Sequence, residues 1–401
     1  MIRSPYPLTR LAAACLVAVA ANDAFADAVT DWNARTNELI TEAKMGTPPA
    51  VRLTALVQVA VAEAAMAAND ASVDAAIAAA SRTVMMKMLP AQQASIEAAY
   101  KAALAKIDET PAKSAGLAIG EQAAARVLAR RADDFAPATD NYRPAAAPGA
   151  YVPTMVPAVP HWGNRKPWLM ATASQFRPAP PPPLASDTWA RDFNEVKTLG
   201  ARNSTRRTEE QSQIARFWEY SLPQIYFGVV RSVADMPGRD VVRNARLYAA
   251  AAVAMDDALI SVFEAKYQYN FWRPITAIRN GDADGLDTTE REANWTPMID
   301  APMHPEFPSG HSILAGSVGA VVKADLGSGP MPVLATTSPT AKGATRQWRN
   351  PDDFVREVSD SRVYAGIHFR SATEVGSVAG RQIGELAAAR YLQPVRVGEA
   401  K

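Results

Sequence analysis

The stretch FPSGHSILAGSVGAVVKA (307–324) decides how this chain is read. Pro308 stops the extended approach, Ser309 is placed to cap, and 311–324 then runs mostly apolar at helical length, so a helix begins at the Pro-Ser-Gly-His turn. A helix start aims free N–H groups and the positive end of its dipole at whatever lies before it, and Gly310 lets a backbone N–H come close. An oxyanion would be held there. An ordinary capped helix with a surface histidine explains the tetrapeptide equally well, so its neighbours in sequence have to decide.

Two further blocks flank it, KYQYNFWRP (266–274) and SRVYAGIHF (361–369). On one ideal helix Lys266 and Arg273 differ by about 20° in azimuth and lie roughly 10 Å apart, so both can lean toward one site. Pro274 is expected to end or kink that helix. Arg362 and His368 are about 120° apart on a regular helix, so Gly366 is read as a break. Ser371 to Glu374 has the S-x-x-E form of a capping box and predicts a new helix over 373–392, with His368 in the connection before it. Taken singly, each block could be a solvated or structural feature. Together they assemble three cations, a hydroxyl, a flexible N–H and imidazoles, an inventory suited to one tetrahedral oxyanion. Of four histidines, His161, His304, His311 and His368, three fall in this region. Zinc held by His304, His311 and a carboxylate is the competing reading, but zinc does not call for Lys and two Arg beside it.

Elsewhere the pattern is helical. Alanine-rich amphipathic stretches at 32–44, 49–70 and 95–109 predict antiparallel helices, TEEQ (208–211) has the form of a capping box, and further helices are expected over 208–220, 241–271, 310–323 and 373–392. Alternating β patterns are scarce, so the fold class is all-α: helical bundles with the anion site in the C-terminal one. Twelve of the 30 prolines lie between Pro137 and Pro183, which predicts an extended segment that wraps the surface, held down by Trp162, Trp168 and Phe176. The expected organisation is a leader at 1–26, a helical region at 27–135, the wrapping segment at 136–207 and a catalytic bundle at 208–401.

The leader reading rests on Arg3 and Arg10, the apolar run 11–21 and Ala24-Phe25-Ala26, and it predicts a periplasmic or secreted protein starting at Asp27. Cys15, the single cysteine, leaves with the leader and takes disulfides and thiolate metal sites with it. Without the leader, 42 basic and 41 acidic residues become 40 and 40, a balance that offers nothing to nucleic acid or to an anionic membrane surface. No later stretch combines spanning length with absence of charge, because 50–81 carries Arg52, Glu63, Asp70 and Asp74.

K-x6-RP, PSGH and SR-x5-H, in that order, resemble the signatures of the superfamily that joins vanadium-dependent haloperoxidases with type-2 phosphatidic acid phosphatases and bacterial acid phosphatases. The resemblance is strongest over 250–390, and 177–211 looks like the exported bacterial haloperoxidase branch. It implies that Lys266, Arg273, Ser309, Gly310 and Arg362 bind the equatorial oxygens of vanadate or phosphate. It further implies His368 as the vanadium ligand, His311 as the acid–base group, and Lys266 as the residue that polarises peroxide. Hydrogen peroxide and halide would then be the substrates. In a phosphatase acting on phosphomonoesters, His368 would attack phosphorus and His311 would protonate the leaving alcohol. His304 and NFWRP (270–274) resemble the haloperoxidases, and His304 leans toward bromide or iodide. Many relatives place an Asp four residues after the last histidine; Ala372 stands there, so Glu374 is weighed as a ring partner or a helix cap. Asp257 is offered as an Arg partner, with a solvated helix face as the alternative for Asp256 and Asp257. A homo-oligomer is allowed by the sequence but not specified by it.

Overall fold

The computed structural model describes residues 27–135 and 142–393; the expected leader lies outside them. Five helices open the chain: α1 (Ala28–Glu42), α2 (Thr47–Ala67), α3 (Val73–Met88), α4 (Gln93–Leu104) and α5 (Pro111–Arg130). After the proline-rich segment come α6 (Asp187–Leu199), α7 (Glu209–Phe217), α8 (Gln224–Ala234), α9 (Val241–Tyr269) and α10 (Pro274–Arg279). Then follow α11 (Gly310–Leu326), the strands β1 (Leu334–Ser338) and β2 (Ala344–Trp348), α12 (Pro351–Tyr364) and α13 (Arg370–Tyr391). The architecture is all-α, as expected.

Helix α9 is the axis. Asp240 caps its start through the Arg243 N–H at 2.8 Å, its middle is buried on every side, and it touches α2, α11 and α13. Such a helix has no polar stripe because it has no solvent face. Helix α2 has the same character: by length and composition it could cross a membrane, but it is mostly buried within the bundle, as a core helix is. Helices α11 and α13 form the most extensive pair, and glycine makes it possible: a side chain at Gly380 would run into the Ile313 carbonyl.

Several local expectations change on contact with the structure. Thr208 and Gln211 do form the capping box, but α7 ends at Phe217 and a separate α8 follows. The β1–β2 hairpin, antiparallel with Leu334 opposite Trp348, was not expected. Helix α13 starts at Arg370 with Phe369 as its N-cap, so Ser371 lies inside the helix and caps nothing; Glu374 is exposed.

The wrapping segment lies along α9, and its attachment corrects the reading of two aspartates. Asp256 and Asp257 are fully buried rather than on a solvated face. Among the described residues Asp257 pairs with no arginine: its carboxylate accepts the N–H groups of Trp168, Leu169 and Met170 at 2.6, 2.9 and 3.2 Å. Asp256 takes the Trp168 indole N–H at 2.6 Å and an ion pair from Arg52, which also holds Asp134. Further along, the segment reaches the site region: Ala158 N donates to Met303 O at 2.6 Å and Tyr151 N to Asn270 O at 2.7 Å.

Candidate active site

Three chain reversals bring the blocks together. Helix α9 ends because Asn270 turns left-handed, at φ 47°, and donates its N–H to Lys266 O at 2.8 Å. Lys266 and Arg273 therefore do not share a helix: Arg273 is the N-cap residue of α10, and Pro274 opens that helix at a position where proline's missing N–H costs nothing. Helix α11 starts as expected, with Ser309 Oγ accepting from Ser312 N at 3.4 Å and from Ser312 Oγ at 3.0 Å. The third reversal is at Gly366, at φ 78°, where a side chain would strike the Gly200 carbonyl. It separates Arg362, at the end of α12, from His368, just before α13.

Lys266, Arg273, Arg362, Ser309 and His368 are buried, whereas His304, Gly310 and His311 keep partial exposure. The site thus has a cationic floor and a rim of two imidazoles and a helix start. Arg273 ties it together: Nε donates to His304 O at 2.9 Å, Nη1 to Ile367 O at 2.8 Å, Nη1 lies 3.3 Å from His368 Nε2, and Nη2 lies 2.9 Å from His304 Nδ1. Guanidinium only donates, so its contact suits a lone pair on His368 Nε2, whereas His304 Nδ1 faces both the Arg273 donor and, at 3.2 Å, the Pro305 carbonyl acceptor. Lys266 gives its three donors to the carbonyls of Pro305 (3.0 Å), Glu306 (2.8 Å) and Pro308, so holding an oxyanion would require it to exchange one of them. Arg362 donates to Trp218 O.

One functional residue escaped the sequence reading. Glu306 is fully buried, and its Oε1 lies 2.7 Å from His368 Nδ1 and 2.9 Å from Phe369 N. The carboxylate beside His368 Nδ1 is therefore that of Glu306 and not of Glu374. Its only local signal is a carboxylate inside the apolar, proline-flanked run HPEFP, and nothing nearby in sequence shows that it faces a ring 62 positions later.

Burial pushes all three imidazoles well below their ordinary range, with Lys266 and Arg273 adding to the effect at His304, Arg362 at His311 and Arg273 at His368. All three are neutral near pH 7. Burial also lowers Lys266 well below its usual value and Arg273 and Arg362 to about 10, while it raises Glu306 to about 7 against the pull of Arg273 and Lys266.

Lys266, Arg273 and Arg362 are buried together with Glu306, and burial works against the charged form of each, so the site is short of negative charge where unpaired charge is expensive. A dianionic tetrahedral oxyanion would supply it. Two further observations fit such a group. His311 Nε2 and Arg362 Nε are buried without partners. A side chain built at Gly310 would meet no atom within 4 Å, so neither packing nor a positive φ demands glycine there, and the free space lies at the helix start. Among the described residues no three His, Cys, Asp or Glu side chains cluster as a zinc cage would need.

Residues 246–396 match the profile of the VCPO second helical-bundle domain. Vanadium chloroperoxidase from Curvularia inaequalis is 30% identical over 183 residues, which cover 38% of this chain and 30% of that protein. Residues 246–396 thus carry a helical-bundle domain of the vanadium haloperoxidase family. The fold of the chain is shared with two solved members of the family. A bacterial vanadium-dependent iodoperoxidase superposes with a TM-score of 0.76 at 24% identity, covering 91% of this chain and 96% of that one. A bacterial vanadium-dependent chloroperoxidase in its holo form gives 0.69 at 19% identity, covering 87% and 94%. The sequence match to the curated relative spans under a third of its length, whereas the fold match runs through the N-terminal helices and the wrapping segment as well.

Proposed function

We propose that this protein is a vanadate-dependent haloperoxidase that uses hydrogen peroxide to oxidise bromide or iodide to hypohalous acid. The observation that carries the reading is the His368 Nε2 lone pair, aimed by Glu306 and Arg273 into a floor of three buried cations beside the open start of α11. Vanadate, when bound, supplies a Lewis-acid centre that activates peroxide toward halide. His368 Nε2 would hold the metal, and Arg273, Arg362, Lys266, Ser309 and the Gly310 N–H would hold its oxygens. His311, neutral and with Nε2 unpartnered at the rim, takes or returns a proton there. The ring of His304 stands edge-on to Phe263 at 5.2 Å with Nδ1 2.9 Å from Arg273, and its place at the rim is the reason for reading it as the residue that sets halide choice.

The test is one paired assay on the same preparation. Vanadate with peroxide and each halide is run against p-nitrophenyl phosphate without vanadate. Halide oxidation that disappears in His368→Ala supports the reading. Phosphate release alone would instead make the site that of an acid phosphatase acting on phosphomonoesters, with the same Nε2 as nucleophile. We place the enzyme in the periplasm or outside the cell on the strength of residues 1–26; N-terminal sequencing of exported protein should begin at Asp27.

A further inference from the structure

We propose that Glu306 is the positioning residue of the site: it fixes His368 in the tautomer that carries its proton on Nδ1 and keeps Nε2 bare toward the cationic floor. The deduction uses donors and acceptors alone. The Glu306 carboxylate meets Nδ1 at 2.7 Å and Arg273 Nη1 meets Nε2 at 3.3 Å. One neighbour accepts and the other can only donate, so only one tautomer satisfies both.

Glu306 does more than accept one proton. The same Oε1 takes the Phe369 N–H at 2.9 Å, so the imidazole and the backbone that leads into α13 are held by one atom. Its own carbonyl accepts from Lys266 Nζ at 2.8 Å, so Lys266 in turn sets the loop that carries the carboxylate. A chain of contacts therefore runs Lys266, Glu306, His368, Arg273 and links the blocks without any bound group. No other carboxylate takes this place: position 372 is alanine and Glu374 is exposed. When Glu306 is ionised, its oxygen on Nδ1–H also makes Nε2 a stronger donor toward whatever electrophile it meets.

The proposal rests on reading His368 Nε2 as the atom that meets the oxyanion, and the test separates the two. Full-length protein labelled with 15N-histidine, free of added oxyanion, is examined by NMR, with His368 assigned by its loss in His368→Ala. Wild type should show one tautomer with Nδ1 protonated. Glu306→Ala should give a mixture and weaken both orthovanadate and inorganic phosphate about 10- to 100-fold, the usual cost of losing such a partner. Glu306→Gln keeps an acceptor oxygen and should restore the single tautomer with part of the affinity. Wild-type His368 protonated at Nε2 overturns the assignment without any variant. So does an Arg273→Met protein that loses the single Nδ1–H tautomer although Glu306 is in place, because the guanidinium and not the carboxylate would then set it. A wild type with the expected tautomer that binds neither vanadate nor phosphate would sink the oxyanion reading and leave the role of Glu306 supported.

Discussion

Gly310→Ala separates ligand demand from packing demand at the start of α11. A Cβ at this position meets no protein atom within 4 Å and the backbone there is not left-handed, so the fold should tolerate it, and alanine's better helix propensity could add up to about 1 kcal/mol. The oxyanion should not tolerate it. The methyl group stands where an oxygen would approach the backbone N–H, and a hydrogen bond to a charged group contributes about 1.5–3 kcal/mol, or roughly 10- to 100-fold in affinity. Urea unfolding with and without orthovanadate reads both quantities. At vanadate equal to about 100 times the wild-type Kd, wild type gains about 2.7 kcal/mol, whereas a variant bound 100-fold more weakly gains about 0.4 kcal/mol. Gly380→Ala is the opposite control, because its side chain would run into the Ile313 carbonyl and should destabilise by about 1–3 kcal/mol through overpacking. A Gly310→Ala protein that binds vanadate within twofold of wild type, or that unfolds more than about 1 kcal/mol more easily, would refute the reasoning.

Arg52→Met leaves the buried Asp256 without its cation and Asp134 with Arg131 alone, at 3.8 Å, and should lose about 3–5 kcal/mol in urea unfolding; a loss under about 1 kcal/mol would show that water or Arg131 makes up for it. Burial raises Asp257 from 3.8 to about 6, so the folded state holds a proton that the unfolded chain has released, and stability from this group falls as pH rises through that window. The full effect is about 3 kcal/mol; Asp257→Asn should flatten the pH 4 to 7 stability profile by about that much, and equal slopes in the two proteins would reject it. His304→Phe should shift the ratio of iodide to bromide oxidation, while Arg273 keeps its carbonyl contact to Ile367 and vanadate still binds; unchanged ratios would remove the ring from halide choice.

What could be read from the sequence was local. The start of α11, the capping box of α7 and the break at Gly366 are each specified within a few residues, and each was legible. Helix α8 was not, because QIYFGVVRSVA is rich in aromatic and β-branched residues, and burial against α9 and β1 outweighs their weak preference for strands. Helix α12 has a start that is equally local, Asn350 followed by Pro351 and two aspartates. The assumption that Lys266 and Arg273 share a helix failed for a different reason. Seven-residue spacing suits two turns of helix, but it suits equally a helix that stops at Asn270 and restarts at Pro274.

The aspartates of α9 and Glu306 show why partners are harder to read than ligands. A residue that meets a bound oxyanion must sit on a turn or helix start that opens toward it, and such turns leave proline, glycine and capping residues in the sequence. A carboxylate that orients another side chain needs only to be buried opposite it, and burial leaves no mark on its immediate neighbours. Asp256 and Asp257 look like any polar pair on an amphipathic helix until the wrapping segment is laid over them. Glu306 looks like an incidental charge beside the Pro-Ser-Gly-His turn until α13 returns His368 to within 2.7 Å of it. The same geometry explains how position 372 can be alanine here: one buried carboxylate on Nδ1 leaves the ring no second proton to give, so an aspartate placed four residues after His368 would find Nε2 and Nδ1 already spoken for.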